Sequence, residues 1–248
     1  HRTFKVAIHR LCRRFLKSVA TDFVACSDVA AEWMYPNIQK NRVVIIQNGI
    51  DLEKFRFRDD IRKDVRNKLG IKDEILIGHV GRFAYQKNHE YILRIGLALK
   101  EKNVPCRILL VGEGPEMDRI KMLAVEMDLN DVLIFYGTSN KVENLFMAMD
   151  VFILPSHFEG LPIVGVEAQA SGLPTVFSDQ ITSQAKLLDD AVFCGIEDAD
   201  VSSWADSIIH YGNMHKNRTE AYKRLRDAKY SIEDTVRSFM RLYLGEEK

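Results

Sequence analysis

Residues 150–174 read DVFILPSHFEGLPIVGVEAQASGLP, and the order of side chains in this stretch decides the fold. Val151 to Leu154 is an unbroken apolar run, the pattern of a strand covered on both faces in a parallel sheet. Pro155 and Ser156 end it. Gly160 and Pro162 open the next element, since proline fits the first turn of a helix, where its missing N–H is no loss. Small and apolar residues follow at Val164, Gly165, Ala168 and Gly172, which predicts a helix packed closely on the sheet and stopping at Gly172 before Pro174. The unit is strand, tight turn, helix, with Glu159 just before the helix and Glu167 inside it.

The spacing of these two acids limits their chemistry. Eight positions at ~1.5 Å rise place them roughly 12 Å apart if the segment is wholly helical. Paired carboxylates of glycoside hydrolysis sit roughly 5–9.5 Å apart, so that role is excluded. Between the acids lies a helix N-terminus, whose free N–H groups and partial positive charge suit an anion. Acceptor, anion seat, acceptor is the layout of a sugar–diphosphate–ribose ligand. The plain alternative is that Glu159 caps the helix and Glu167 faces solvent.

Outward from this stretch, similar units recur. Strands are expected at 22–27, 42–46, 74–80, 106–112, 132–136, 175–178 and 191–194. Helices are expected at 28–35, 59–70, from about Asn88, after GEGP at 112–115, and at 144–149, 204–211, 218–229 and 231–243. Strands alternating with helices argue for a doubly wound α/β parallel sheet of Rossmann type. After the strand at 74–80 comes GRFAYQKNHEYIL, which puts Arg82 and Lys87 on a loop before a helix. Two cations beside a helix N-terminus, at the carboxyl end of a parallel strand, make an anion clamp. Arginine offers a fork to phosphate oxygens and lysine a point charge. Alone, such a pair is as readily solvated surface. His79 and His89 read as core and helix-cap histidines. The GEGP loop is a poor dinucleotide fingerprint: Met117 stands where a third glycine belongs, and the strand at 132–136 ends in Gly137 and Thr138 rather than an acid.

Composition narrows the classes. Thirty-five basic and 35 acidic residues balance, so no global excess points to nucleic acid. Cys12, Cys26, Cys106 and Cys194 are far apart, which argues against a zinc site or disulfide framework and for a reducing cytoplasm. No apolar run reaches the ~18 residues of a membrane span, and no signal peptide is visible. Residues 1–17 carry six basic side chains and no acid, with Phe4, Ile8, Leu11, Phe15 and Val19 at helical spacing. That helix suits either a missing domain or the anionic inner face of a membrane. Opening on His1 rather than Met, the sequence reads as a fragment.

EGLPIVGVEAQASGLP strongly resembles the E-x7-E signature of family-4 retaining glycosyltransferases of GT-B architecture. PSHFEGLP, the G-R-x4-K pattern of Arg82 and Lys87, and the NGID-x-x-x-F-like segment Asn48 to Phe55 stand in that family's order. The resemblance runs from about Asp22 to the C-terminus and is closest to enzymes of bacterial capsule and exopolysaccharide assembly. It implies that residues 1–47 are the tail of an acceptor-side domain, 48–229 a nucleotide-sugar-binding Rossmann-like domain, and 230–248 a helix crossing back. It also implies Arg82 and Lys87 on the donor diphosphate, Glu159, Gly160 and Leu161 at the donor sugar and its phosphates, Glu167 on the ribose, and Gly137 and Thr138 near the base. Glu159, Arg82 and Lys87 are the expected catalytic groups. The expected partners are a nucleotide-diphosphate sugar, UDP being the common choice, and a glycan or lipid-linked acceptor, with no cofactor and no metal. Nucleotide-sugar 2-epimerases share the architecture and are the competing enzyme class. A third reading is a fragment that binds UDP or GDP and transfers nothing.

Overall fold

In a computed structural model of the chain, residues 8, 11–36, 38–214 and 217–245 are described. The expected basic helix at 1–17 lies largely outside them. Two compact units are present, one of His1–Gly49 with Lys229–Lys248 and the other of Ile50–Ala228.

In the smaller unit, β1 (Phe23–Ala25) and β2 (Val43–Ile45) pair in parallel. Between them the helix Asp28–Met34 is capped by Ser27, whose hydroxyl accepts from the Ala30 N–H. Ser231 caps the helix Ile232–Leu244 in the same way, and Gly245 closes it in the left-handed conformation. Thr235 Oγ1 donates to the Gln47 carbonyl at 2.8 Å and accepts from the Gly49 N–H at 2.9 Å, tying that helix to residues 47–49.

The larger unit holds a six-stranded sheet, every pair parallel. In chain order its strands are β3 (Ile75–Val80), β4 (Cys106–Val111), β5 (Leu133–Gly137), β6 (Val151–Leu154), β7 (Thr175–Ser178) and β8 (Ala191–Cys194). Across the sheet they run β5-β4-β3-β6-β7-β8. Side chains alternate between faces. Ile75, Ile77, Ile108, Leu110 and Ile153 join Ile92, Leu99 and Trp204 in one core cluster beneath the helices His89–Glu101 and Val201–Gly212. On the opposite face Phe152 meets Phe146 edge-on at 5.5 Å, and Gly165 of the helix Ile163–Ala170 leaves room for the Phe177 ring, 2.8 Å from where a Cβ would stand. The two faces explain why β6 is apolar at every position.

Strand order also locates a crevice. From the central pair β3/β6, the chain steps outward one way through β4 and β5 and the other way through β7 and β8. The loops after β3 and β6 therefore part in opposite directions at the carboxyl ends of their strands, the topological switch point where ligands of such sheets bind.

At the opposite end of the sheet, three arginines collect the carbonyls that end the helix Val142–Ala148. Arg218 donates to Phe146, Met147, Met149 and Ser171, and Arg62 to Met147, Ala148 and Met149. Arg66 reaches Ala148 and, with Arg62, pairs with Asp150. Asp150 also accepts from the Leu76 N–H at 2.7 Å, which joins β3 and β6 at their starts. A groove of about 790 Å³ opens here, but its three arginines are already bonded to backbone or to Asp150, so it reads as a structural junction.

Candidate donor-diphosphate site

The loops after β3 and β6 meet. Lys87 Nζ lies 2.7 Å from Glu159 Oε1, with side chains 16% and 11% exposed. Ser156 Oγ donates to the same carboxylate oxygen at 3.2 Å. Three further bonds stitch the loops together: His157 N–H to the Gln86 carbonyl, Gln86 Nε2 to the Phe158 carbonyl and Asn88 Nδ2 to the Pro155 carbonyl. Asn88 adopts a left-handed backbone (φ 55°) that asparagine tolerates, and the helix His89–Glu101 starts just after it. Ser156, Gln86 and Asn88 are contributors that spacing alone does not single out. Their types, polar residues on short strand-to-helix loops, are the only signal the sequence offers.

Arg82 is exposed and has no hydrogen-bond or ion-pair partner among the described residues. Its backbone is nevertheless fixed. Gly81 N–H donates to Val111, Phe83 N–H to Glu113, and the Phe83 carbonyl accepts from the Glu116 N–H. This close approach explains GEGP: a Cβ at Gly112 would collide with the Gly81 carbonyl, and one at Gly114 with that of Phe83. The two glycines serve loop-on-loop packing.

Just after Glu159 comes the entry to the helix Ile163–Ala170, with Pro162 as its N-cap. Its first N–H groups have no intrahelical partner. A Cβ added at Gly160 would meet nothing within 4 Å, so this backbone is open to a ligand. Leu161 beside it is half-buried, Gly137 ends β5 with φ 79°, and Thr138 is exposed. Lys87 thus meets Glu159 across the crevice, with Arg82 on the Lys87 loop and Gly160 next to Glu159; Glu167 sits farther along the helix, half-buried.

Below the loops lie two imidazoles. His79 and His89 are buried and meet edge to face at 4.7 Å, and His89 stacks on Phe83 at 3.9 Å. His79 Nδ1 donates to the Ile153 carbonyl, leaving Nε2, like both ring nitrogens of His89, without a partner among the described residues. Burial, then the neighbouring His89, holds His79 well below the usual histidine range. Burial and the Lys87 charge bring His89 down to about 4. Both imidazoles are therefore neutral at pH 7.

Burial and, secondarily, the charge of Glu143 push the Glu167 carboxyl up to about 7. The unfolded chain ionises this group near 4.5, so the stability held in its protonated form falls as pH rises from 4.5 to about 7. His89 acts in the opposite sense: the unfolded chain takes a proton near 6.5 and the folded one only near 4, so acidification through that window destabilises. Glu167→Gln removes the compensating gain. Between pH 7 and 4.5 its Tm is expected to fall several degrees more than that of the parent, roughly 2–4 °C per kcal/mol lost. Thermal unfolding at four or five pH values checks this, and parallel curves would contradict it.

The sequence pattern of the family described as glycosyl transferases group 1 matches residues 61–230. The chain belongs to that family. EpsF of Bacillus subtilis strain 168, named as a glycosyltransferase, is 33% identical over 235 residues, 93% of this chain and 61% of that protein. The UDP-Gal:alpha-D-GlcNAc-diphosphoundecaprenol alpha-1,3-galactosyltransferase of Escherichia coli is 34% identical over 145 residues, 56% of this chain and 37% of that protein. The group 1 chain thus spans less than two thirds of these relatives. Among solved structures, Anabaena HepE in complex with UDP superposes with a TM-score of 0.83 at 16% identity, over 96% of this chain and 67% of that one. Sucrose-phosphate synthase of Thermosynechococcus elongatus gives 0.78 at 21%, over 96% and 61%. At such identities the likeness is one of fold: the six-stranded parallel sheet flanked by helices is that of GT-B glycosyltransferases. No helix among the described residues is long and apolar enough to cross a membrane.

Proposed function

We propose that this group 1 chain is the donor-binding part of a retaining glycosyltransferase. It moves a sugar from a UDP-sugar to a glycan or lipid-linked acceptor in polysaccharide biosynthesis, in the cytoplasm at the inner membrane face. The observation that carries the reading is the meeting of Lys87 and Glu159 at the switch point of the sheet. As the anomeric bond breaks, charge builds on the departing diphosphate. Arg82, Lys87 and the N–H groups entering the helix at Ile163 meet that charge in place, an electrostatic contribution of about 3–4 kcal/mol per contact in the transition state. Glu159 orients the sugar through its hydroxyls, Glu167 accepts from the ribose, and the backbone of Gly137 and Thr138 faces the base. Residues 1–47 and 230–248 belong in this reading to the acceptor side. Support for the nucleotide comes from HepE, whose structures hold UDP and UDP-glucose, and for a lipid-linked acceptor from the Escherichia coli relative.

A carboxylate accepts a ribose hydroxyl more strongly than a carboxylic acid does. With Glu167 titrating at about 7, uridine affinity is expected to rise severalfold from pH 6 to 8, and Glu167→Gln to flatten the rise. A pH-independent uridine affinity in the parent would separate Glu167 from the ribose. The activity itself is tested with the complete protein, a radiolabelled UDP-sugar and a lipid-linked saccharide. Label in a lengthened glycan is expected. Label only in an epimerised sugar nucleotide would move the protein to the 2-epimerase class, and label in neither product would leave a binding protein.

A further inference from the structure

Lys87 and Glu159 are both assigned to the donor in the function proposed, yet they pair with each other. The lysine is largely buried. Its Cδ and Cε lie 3.1 Å from where a Cβ of Gly81 would stand, and His79 Nε2 lies 3.0 Å from the same point, so the stem runs close past Gly81, where any side chain would crowd it. The glutamate is held as well, by Ser156 on Oε1. Its Oε2 has no partner among the described residues. The pair is thus part of the seat, and a diphosphate arriving there meets a lysine that already has a carboxylate beside it.

We propose that Glu159 sets how strongly the seat holds a nucleoside diphosphate that carries no sugar, so that the product left after transfer is released. This rests on the donor-site reading above. A donor brings hydroxyls that can donate to the open Oε2, offsetting the carboxylate's repulsion of phosphate. A spent nucleoside diphosphate brings none, and it binds beside a carboxylate that only Lys87 and Ser156 offset. Glu159 then discriminates donor from product, besides orienting the sugar.

The test is titration of the chain with UDP and with uridine, for the parent, Glu159→Gln and Glu159→Asp. Glu159→Gln keeps shape and removes charge, and its UDP dissociation constant is expected to fall three- to tenfold with uridine unchanged. Glu159→Asp withdraws the carboxylate by one methylene and gives a smaller change of the same sign, so a poorly folded glutamine variant does not end the test. On a Lys87→Met background the carboxylate stands without its cation, so the glutamine change is expected to strengthen UDP at least as much as in the parent, and an unchanged UDP affinity there would also overturn the proposal. UDP binding that weakens or stays the same in both Glu159 variants, in a parent that prefers UDP to uridine, overturns the proposal. A parent with no preference for UDP over uridine removes the donor-site reading first, and the proposal falls with it.

Discussion

Arg82→Ala weakens UDP about 10–100-fold and leaves uridine within twofold. The factor follows from losing a charge-assisted hydrogen bond of roughly 1.5–3 kcal/mol. The guanidinium has no protein partner among the described residues, and the backbone on both sides of it is bonded to the end of β4 and the loop after it. The fork is thus presented from a fixed base and needs little reorganisation to meet two phosphate oxygens. Because the Arg82 side chain has no partner among the described residues, its loss leaves none of them unpaired, and Tm is expected to stay within ~2 °C. Titration of parent and variant with both ligands decides the matter. Equal losses for UDP and uridine would mean that Arg82 does not touch the phosphates.

Arg218→Met has its large effect on stability. Burial brings this guanidinium down to about 9, and it lies over the Phe57 ring at 4.4 Å. Met147 and Met149 keep Arg62 as a donor when Arg218 is lost, but the Phe146 and Ser171 carbonyls lose theirs. Orphaning buried acceptors in a charged network costs about 3–5 kcal/mol. For a domain of this size that is a fall in Tm of roughly 10 °C. The register of β6, and with it the loop carrying Glu159, depends on this junction, so UDP binding weakens as Tm falls. Thermal unfolding of the variant checks this, and a Tm within 2 °C of the parent would show that water satisfies those carbonyls.

Much of this was legible in the sequence. The unbroken run Val151–Leu154 and the Gly160–Pro162 turn announce a strand buried on both faces and the helix that follows it, and both lie where the pattern puts them. Thr175–Ser178 and Ala191–Cys194 also match residue for residue. Where helix bounds differ, local hydrogen bonds explain it. The helix expected from Trp204 starts at Val201 because Glu197 and Asp200 form a capping box over the turn before it. Arg82, Lys87 and Glu159 could be named from spacing and resemblance, but their pairing could not, since the strand order β3–β6 is a long-range fact. The same holds for Arg62, Arg66 and Arg218, which look like surface charge until Asp150 and the end of the helix Val142–Ala148 are placed beside them. His79 and His89 gave up their neutrality only once both were seen in one buried stack.

In the function proposed, the loop of Arg82 and Lys87 and the turn entering the helix at Ile163 form one seat for a diphosphate. Calorimetric titration of the folded chain with UDP, GDP and uridine measures this directly. UDP or GDP is expected to bind at least tenfold more tightly than uridine. No heat with either diphosphate, on a sample shown to be folded, would contradict it.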